Sequence, residues 1–213
     1  MLNNKYLKLF ADFKFNYKLR KEVLRSCKTV LDLGCGKCSP LNFFSDEIDH
    51  SLGVDNFLPY IEESKELKIH TDYLEMEMIE ACKKIESNSF DCVMALDAIE
   101  HLKKEEGFQL LAEMERIASK CIVIYTPNGF LNQNIYDDNK GQLHLSGWTA
   151  GELQKFGFKV YGMSGLKYLR TDLGEIKFKP GFFWGKITSI TQLFTYFYPK
   201  LAFQLLGVKS INK

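Results

Sequence analysis

The stretch from Thr29 to Pro40, TVLDLGCGKCSP, constrains the fold more than any other part of the chain. Its apolar start is typical of a buried β-strand, and Gly34 and Gly36 follow at once. Glycines between a strand and a helix let the backbone approach a ligand closely, and the start of the helix offers free N–H groups. The stretch therefore predicts a nucleotide-type pocket, although any tight strand-to-helix turn can use two glycines.

Strand-like and helix-like patterns alternate through the first 126 residues. A second strand ends at Asp55, and continuous apolar runs over Phe90 to Asp97 and Cys121 to Thr126 are typical of strands buried on both faces. Helical patterns lie between them, at Pro59 to Leu67 and Glu105 to Ala118. The alternation predicts an α/β fold with a mostly parallel sheet and a ligand site at the carboxyl ends of its strands.

Asp55 stands 19 residues after Gly36, at the end of the second predicted strand. In a βαβ unit this spacing brings the carboxylate beside the glycine turn, where it can accept hydrogen bonds from both hydroxyls of a ribose. An acid at a strand end is also a common helix N-cap. A dinucleotide oxidoreductase would show G-x-G-x-x-G, and the string from Gly34 to Ser39 lacks the third glycine. S-adenosylmethionine, with a ribose, an amino-acid moiety and an adenine, fits these residues better.

Composition limits the class of protein. The chain has 213 residues, enough for one domain with a small appendage, and its net charge of +1 argues against a nucleic-acid surface that covers the whole chain. The six cysteines lack the dense spacing of a disulfide scaffold, which predicts reduced thiols and a cytoplasmic protein. Cys35 and Cys38 form a single C-x-x-C without a second ligand pair, so no metal is predicted. No secretory signal is visible at the N-terminus.

Both ends of the chain are basic and amphipathic. Residues 1–28 carry eight Lys or Arg and an aromatic stripe at helical spacing, and residues 181–213 repeat the pattern without any acid. Each segment either packs on the domain or lies against a membrane surface or partner. We expect an N-terminal helix over 1–28, a central domain over 29–180 and a basic extension over 181–213, with peripheral contact at the inner face of a membrane as one possibility.

Four strings in this order resemble the class I S-adenosylmethionine-dependent methyltransferases: VLDLGCG, GVD, FDCVMALDAIEHL and IVIYTPNG. The resemblance covers roughly Thr29 to Gly162, and it includes HLSGWTAGELQKFGFKVYG near its end. It implies a three-layer, Rossmann-like sandwich with a seven-stranded, mostly parallel sheet whose last strand is antiparallel. We expect that last strand within Gly165 to Arg170 or Glu175 to Lys179, and helical extensions at both termini.

The resemblance also implies roles for individual residues. The residues that it assigns to the cofactor are Asp32, Gly34, Cys35, Gly36, Asp55, Glu77, Met78, Leu96 and Asp97. Asp72 is an alternative to Glu77 beside the adenine, because the short strand predicted over Lys68 to Tyr73 leaves the alignment open. Cys38 departs from the family, which usually has a third glycine at this position.

Methyl transfer from a sulfonium donor needs alignment and exclusion of water, and a base only when the acceptor is a group such as a hydroxyl. His101 and His144 are the candidate bases, and Asn128 and Trp148 are candidates for the acceptor site. Trp148 is equally interpretable as a core aromatic residue, and His101 as a structural one. The sequence predicts a methyltransferase for a small or lipid-linked acceptor, such as a glycan or an isoprenoid or quinone precursor, and not for nucleic acid. The alternatives are a degenerate cofactor-binding subunit and a dinucleotide oxidoreductase.

Overall fold

The computed structural model of the chain describes residues 14–133 and 137–211. The seven strands are β1 (Thr29–Leu33), β2 (His50–Asp55), β3 (Asp72–Glu75), β4 (Phe90–Leu96), β5 (Ala118–Pro127), β6 (Lys159–Leu166) and β7 (Ala202–Ser210). The α-helices are α1 (Phe15–Leu24), α2 (Leu58–Glu66), α3 (Met78–Lys84), α4 (Lys104–Ile117), α5 (Ala150–Lys155) and α6 (Gly181–Thr195). Residues 1–13 of the expected N-terminal helix lie outside the described residues.

All seven strands form one sheet in the order β3-β2-β1-β4-β5-β7-β6. The pairs among β1 to β5 are parallel, whereas β7 runs antiparallel to both β5 and β6. The predicted fold class, a mostly parallel sheet with an antiparallel last strand, is confirmed. The parallel order places the carboxyl ends of β1, β2 and β4 side by side, at the reversal of strand order where α/β proteins bind ligands.

The position of the last strand was predicted wrongly. β7 is formed by Ala202–Ser210, whereas Gly165 to Arg170 completes β6 and a short 3-10 turn. The helical spacing over residues 181–213 predicts a helix, but Pro199 follows the end of α6, and Leu205 and Leu206 are fully buried in the sheet. A short apolar run does not distinguish a helix from a strand, so spacing alone could not locate β7.

Apolar side chains cover both faces of the sheet. Alternate residues of β1 belong to the two cores, with Val30 on one face and Leu31 and Leu33 on the other. Leu19 and Val23 of α1 are fully buried against the Val30 face. The ends of the central strands are thus held rigidly from both sides, which fixes the backbone of the turns that follow them.

Gly162 of β6 allows α6 to pack directly on the sheet. A Cβ at this position would lie 2.1 Å from the carbonyl oxygen of Thr195 and 2.6 Å from Cβ of Ala202. We expect Gly162→Ala to lower the free energy of unfolding by about 1–3 kcal/mol through overpacking. Gly185→Ala in the same helix meets nothing within 4 Å and should be neutral or slightly stabilising. Urea unfolding of both variants measures the difference, and equal midpoints would contradict this packing.

Candidate functional site

The glycine turn after β1 is built as the sequence indicated. Gly34 and Cys35 both donate their N–H groups to the carbonyl oxygen of Val54, at 2.8 and 3.0 Å, which ties the turn to β2. The φ angles of Gly34 and Gly36 are +73° and +57°, in the left-handed region that favours glycine. A Cβ on Gly34 would lie 2.7 Å from Cβ of Ala98. The turn therefore passes within contact distance of the segment after β4.

Asp55 ends β2 directly beside this turn. One carboxylate oxygen accepts the N–H of Gly36 at 2.9 Å, and the other accepts the N–H of Phe57 at 2.9 Å. Burial raises the pKa of this carboxyl above its ordinary value, although the two N–H groups oppose the shift. Each oxygen keeps a further lone pair, and Asp55 lines the cleft, so the predicted ribose acceptor is fixed in place before a ligand arrives.

Asp32 is buried under the turn and does not line the cleft. Its Oδ2 accepts the Oγ–H of Ser39 at 2.5 Å and lies 3.0 Å from Nε2 of His70. Its side chain is 1% exposed and that of His70 is fully buried. The carboxylate thus ties Ser39, at the far end of the loop, to His70, which precedes β3. This geometry favours a positioning role for Asp32 over direct contact with a cofactor.

On the other side of the cleft, the structure favours Glu77 over Asp72 as the acid near an adenine. Glu77 precedes α3 and accepts a hydrogen bond from the Nδ2 group of Asn56 at 2.8 Å, and both line the cleft together with Met78. Asp72 instead begins β3, at the end of the strand away from the cleft, and its carboxylate lies 3.6 Å from Nδ1 of His50. The strand begins later than predicted, so the acid after it is Glu77.

The cleft between these elements has a volume of about 690 Å³ and includes Leu96 and Asp97 at the end of β4. Asp97 has a φ of +49°, which is uncommon outside glycine, and its side chain opens onto the cleft. Surrounding protein nevertheless limits its solvation and raises the carboxyl pKa to about 7, while a hydrogen bond from Gln204 opposes the rise. This carboxyl therefore changes charge near neutral pH.

Glu100, His101 and His144 converge at the rim of the cleft. One potential ligand atom from each lies within 4.8 Å of the others, an arrangement that could hold a metal ion. Nδ1 of His101 donates to the carbonyl oxygen of Leu143 at 3.2 Å, and Nδ1 of His144 donates to that of Leu131 at 2.7 Å. Fixing the proton on Nδ1 leaves Nε2 as the basic nitrogen of each neutral ring.

Burial lowers the pKa of both imidazoles, and the neighbouring His101 lowers that of His144 further. Burial also raises the pKa of Glu100, which is 2% exposed and accepts the Oγ–H of Thr126 at 3.0 Å. The sequence indicates His101 and His144 as separate candidate bases and predicts no metal. It missed the cluster because His144 is 43 residues from His101, and only the fold brings the two together.

Residues 137–145, from the polar segment after β5, border the cleft. Lys37 Nζ and the Tyr60 hydroxyl both donate to Oδ2 of Asp137, at 2.7 and 3.0 Å. Asn139, Gln142 and Leu145 line the cleft from this side. This segment therefore lies against the glycine turn, and no local motif indicated Tyr60 or Asp137.

Asn128 and Trp148, the two candidates for the acceptor site, lie outside the cleft. The Nδ2 group of Asn128 donates to the carbonyl oxygens of Pro199, Lys200 and Ala202, at 2.8 to 3.1 Å. Trp148 is fully buried in the core with Lys104 Nζ 3.6 Å from its ring centroid. Each side chain therefore has a structural role: Asn128 ties the end of β5 to the start of β7, and Trp148 fills the core.

The comparisons with known proteins agree with this geometry. Residues 31–121 match the family model described as a methyltransferase domain. This segment is a methyltransferase domain. It contains the glycine turn, Asp55, Asp97 and the Glu100–His101 pair, whereas His144, β6 and β7 lie beyond the matched segment. The methyltransferase resemblance predicted from the sequence is therefore confirmed for this segment. A search of curated protein sequences finds no match.

Solved structures similar to the chain that contains this methyltransferase domain include a SAM-dependent methyltransferase from Archaeoglobus fulgidus. That protein is 18% identical over 98% of this chain and 100% of its own, with a TM-score of 0.57. Magnesium protoporphyrin IX methyltransferase from Synechocystis PCC 6803, solved with bound SAH, is 10% identical over 100% of this chain and 89% of its own, with a TM-score of 0.54. The small RNA methyltransferase HEN1 is 15% identical over 92% of this chain but only 24% of its own, with a TM-score of 0.60. At these identities the likeness establishes the fold, and the last two proteins are named for different acceptors, a porphyrin and small RNA.

Proposed function

We propose that the chain transfers a methyl group from S-adenosylmethionine to an amphiphilic, lipid-linked acceptor. The observation that carries the cofactor assignment is the joint geometry of the glycine turn and Asp55. Their spacing, φ angles and buried carboxylate provide a ribose acceptor beside an open backbone turn. In this cleft Asp55 would hold the ribose hydroxyls, Gly34 to Gly36 the amino-acid moiety, and Glu77 with Met78 the adenine.

The acceptor class is inferred from a second, mostly apolar groove of about 500 Å³ between β6 and α6. Ser164 in this groove donates to Gln204 at 2.6 Å, and Gln204 donates to Asp97 at 3.3 Å, so a short hydrogen-bonded chain joins the groove to the cofactor cleft. Arg170 also lines the groove, and its buried Nε makes no hydrogen bond to any described residue. An apolar tail in the groove with an anionic group near Arg170 would satisfy both features.

The chain's own residues would contribute to the reaction in three ways. The cleft and the segment that borders it align donor and acceptor and exclude water, which is the main requirement of an in-line displacement. Asp97 faces the region where a positive sulfonium would lie. For a hydroxyl acceptor, Nε2 of His101 or His144 would take the proton, because both rings are neutral near pH 7.

Binding and labelling experiments test this function. Isothermal titration should give one SAM site and no NAD binding, and SAM labelled in its methyl group should transfer label to a membrane lipid extract. Arg170→Ala should reduce labelling at least tenfold while SAM affinity is unchanged. SAM binding without transfer to any fraction would indicate the degenerate cofactor-binding subunit, and label confined to RNA or small polar products would contradict the lipid-linked acceptor.

The charge of Asp97 predicts a pH dependence that distinguishes SAM from its product SAH, whose sulfur carries no charge. Because its pKa is raised to about 7, the carboxyl is mostly neutral at pH 6 and mostly ionised at pH 8. We expect SAM to bind roughly three- to tenfold more tightly at pH 8, and SAH affinity to change less than about twofold. Asp97→Asn should abolish the difference between the two ligands. Parallel pH profiles for SAM and SAH in the unmodified chain would contradict this placement of the sulfonium.

A further inference from the structure

Helix α6 presents its apolar side chains outward. Phe182 is 74% exposed and Ile190 is 68% exposed, and Phe183 and Phe194 are about half exposed. Surface helices of globular proteins normally bury such residues and expose polar ones. An exposed apolar patch of this kind marks a surface that contacts something other than water.

The inward face of the same helix is polar and is fixed to the sheet. Gln192 donates to the carbonyl oxygen of Gly162 at 2.9 Å and accepts the N–H of Gly165 at 2.9 Å. Thr188 and Thr195 are buried beneath the helix. A Cβ on Gly165 would lie 2.3 Å from the carbonyl oxygen of Thr188, so only glycine permits this contact. Rotating the helix to bury its phenylalanines would break these hydrogen bonds, so the apolar face stays exposed at the surface.

Basic residues lie within α6 and in the segments before and after it. Lys177, Lys179, Lys186 and Lys200 are all exposed, and residues 176–213 contain no Asp or Glu. An isologous contact with a second copy would bring the lysine-rich surfaces of both copies together, which is electrostatically unfavourable. Lysines around aromatic and aliphatic side chains instead match anionic headgroups above an acyl layer.

We propose that the outer face of α6 docks the chain on an anionic lipid surface. None of the described helices is both long and apolar enough to cross a bilayer, so the contact is interfacial. Ile190 and Leu193 lie on this helix and also line the groove that holds Arg170. Docking through α6 therefore places the mouth of that groove at the headgroup level. Membrane docking does not require methyl transfer, so it can be tested independently of the proposed function.

Vesicle flotation of the full chain tests the docking. We expect flotation with phosphatidylcholine vesicles containing about one-third phosphatidylglycerol, and little with phosphatidylcholine alone. Phe182→Glu/Ile190→Glu should reduce partition about tenfold or more, because both side chains are largely exposed and the change leaves the core intact. Lys177→Gln/Lys179→Gln/Lys186→Gln should weaken partition roughly fivefold per lysine.

The matched control is Leu58→Glu/Leu67→Glu, which places the same charges at exposed leucines on another part of the molecule. It should float as the unmodified chain does, and all variants should keep the same SAM affinity and circular dichroism. Equal flotation of the α6 variant and the control would overturn the proposal. So would a stable dimer in light scattering that Phe182→Glu/Ile190→Glu dissociates, because the face would then belong to a second copy.

Discussion

Replacing Asp55 with alanine should raise the dissociation constant for SAM about a hundredfold. The carboxylate is placed to accept both ribose hydroxyls, and a hydrogen bond to a charged group contributes about 1.5 kcal/mol or more. It also accepts the N–H groups of Gly36 and Phe57, so its removal loosens the glycine turn as well. Isothermal titration of the two proteins measures the change directly.

Asp72→Ala is the control for this experiment, because Asp72 lies at the amino end of β3, away from the cleft, and its side chain is 66% exposed. SAM affinity should remain within twofold of the unmodified chain. Thermal unfolding of Asp55→Ala identifies any loss of fold. An Asp55→Ala protein that is folded and still binds SAM with unchanged affinity would exclude the proposed ribose site.

Replacing His101 and His144 together with alanine should reduce methyl transfer by about a hundredfold to ten-thousandfold, the usual contribution of a positioned base. SAM affinity should change little, because neither histidine is assigned to the cofactor and His144 does not line the cleft. The rate at saturating SAM measures the effect, and titration confirms that the cofactor still binds. His50→Ala, which removes an exposed histidine beside Asp72, serves as the control.

Chelation distinguishes two ways in which this pair can act. If the imidazoles are bases, EDTA should leave the rate of the unmodified chain unchanged. If EDTA abolishes activity and a divalent cation restores it, Glu100, His101 and His144 act instead as ligands of a Lewis-acidic ion. Full activity of His101→Ala/His144→Ala would contradict both roles.

The cofactor side of the site was predictable because its residues follow strand ends at short, fixed spacings. Gly34, Gly36 and Asp55 needed only the βαβ geometry to be placed together. The end of β4 at Asp97 followed from one continuous apolar run. In these places local sequence determines both the element and the position of the side chain after it.

The remaining features depend on contacts between distant parts of the chain. The apolar run of β7 suited a helix or a strand equally, and its pairing with β5 and β6 decides between them. The sequence also did not indicate that Asp32 faces a buried histidine, His70, 38 residues away. The apolar face of α6 points outward because of two glycines on β6. Gly162 and Gly165 leave room for the threonine face of the helix to pack on the sheet.

A crystal structure of the chain with SAH is the sharpest test of the proposed cofactor site. We expect the ribose hydroxyls on Asp55, the amino-acid moiety along Gly34 to Gly36, the adenine between Glu77 and Met78, and the sulfur facing Asp97. SAH bound in the groove beneath α6, or bound in the cleft with its ribose away from Asp55, would contradict it.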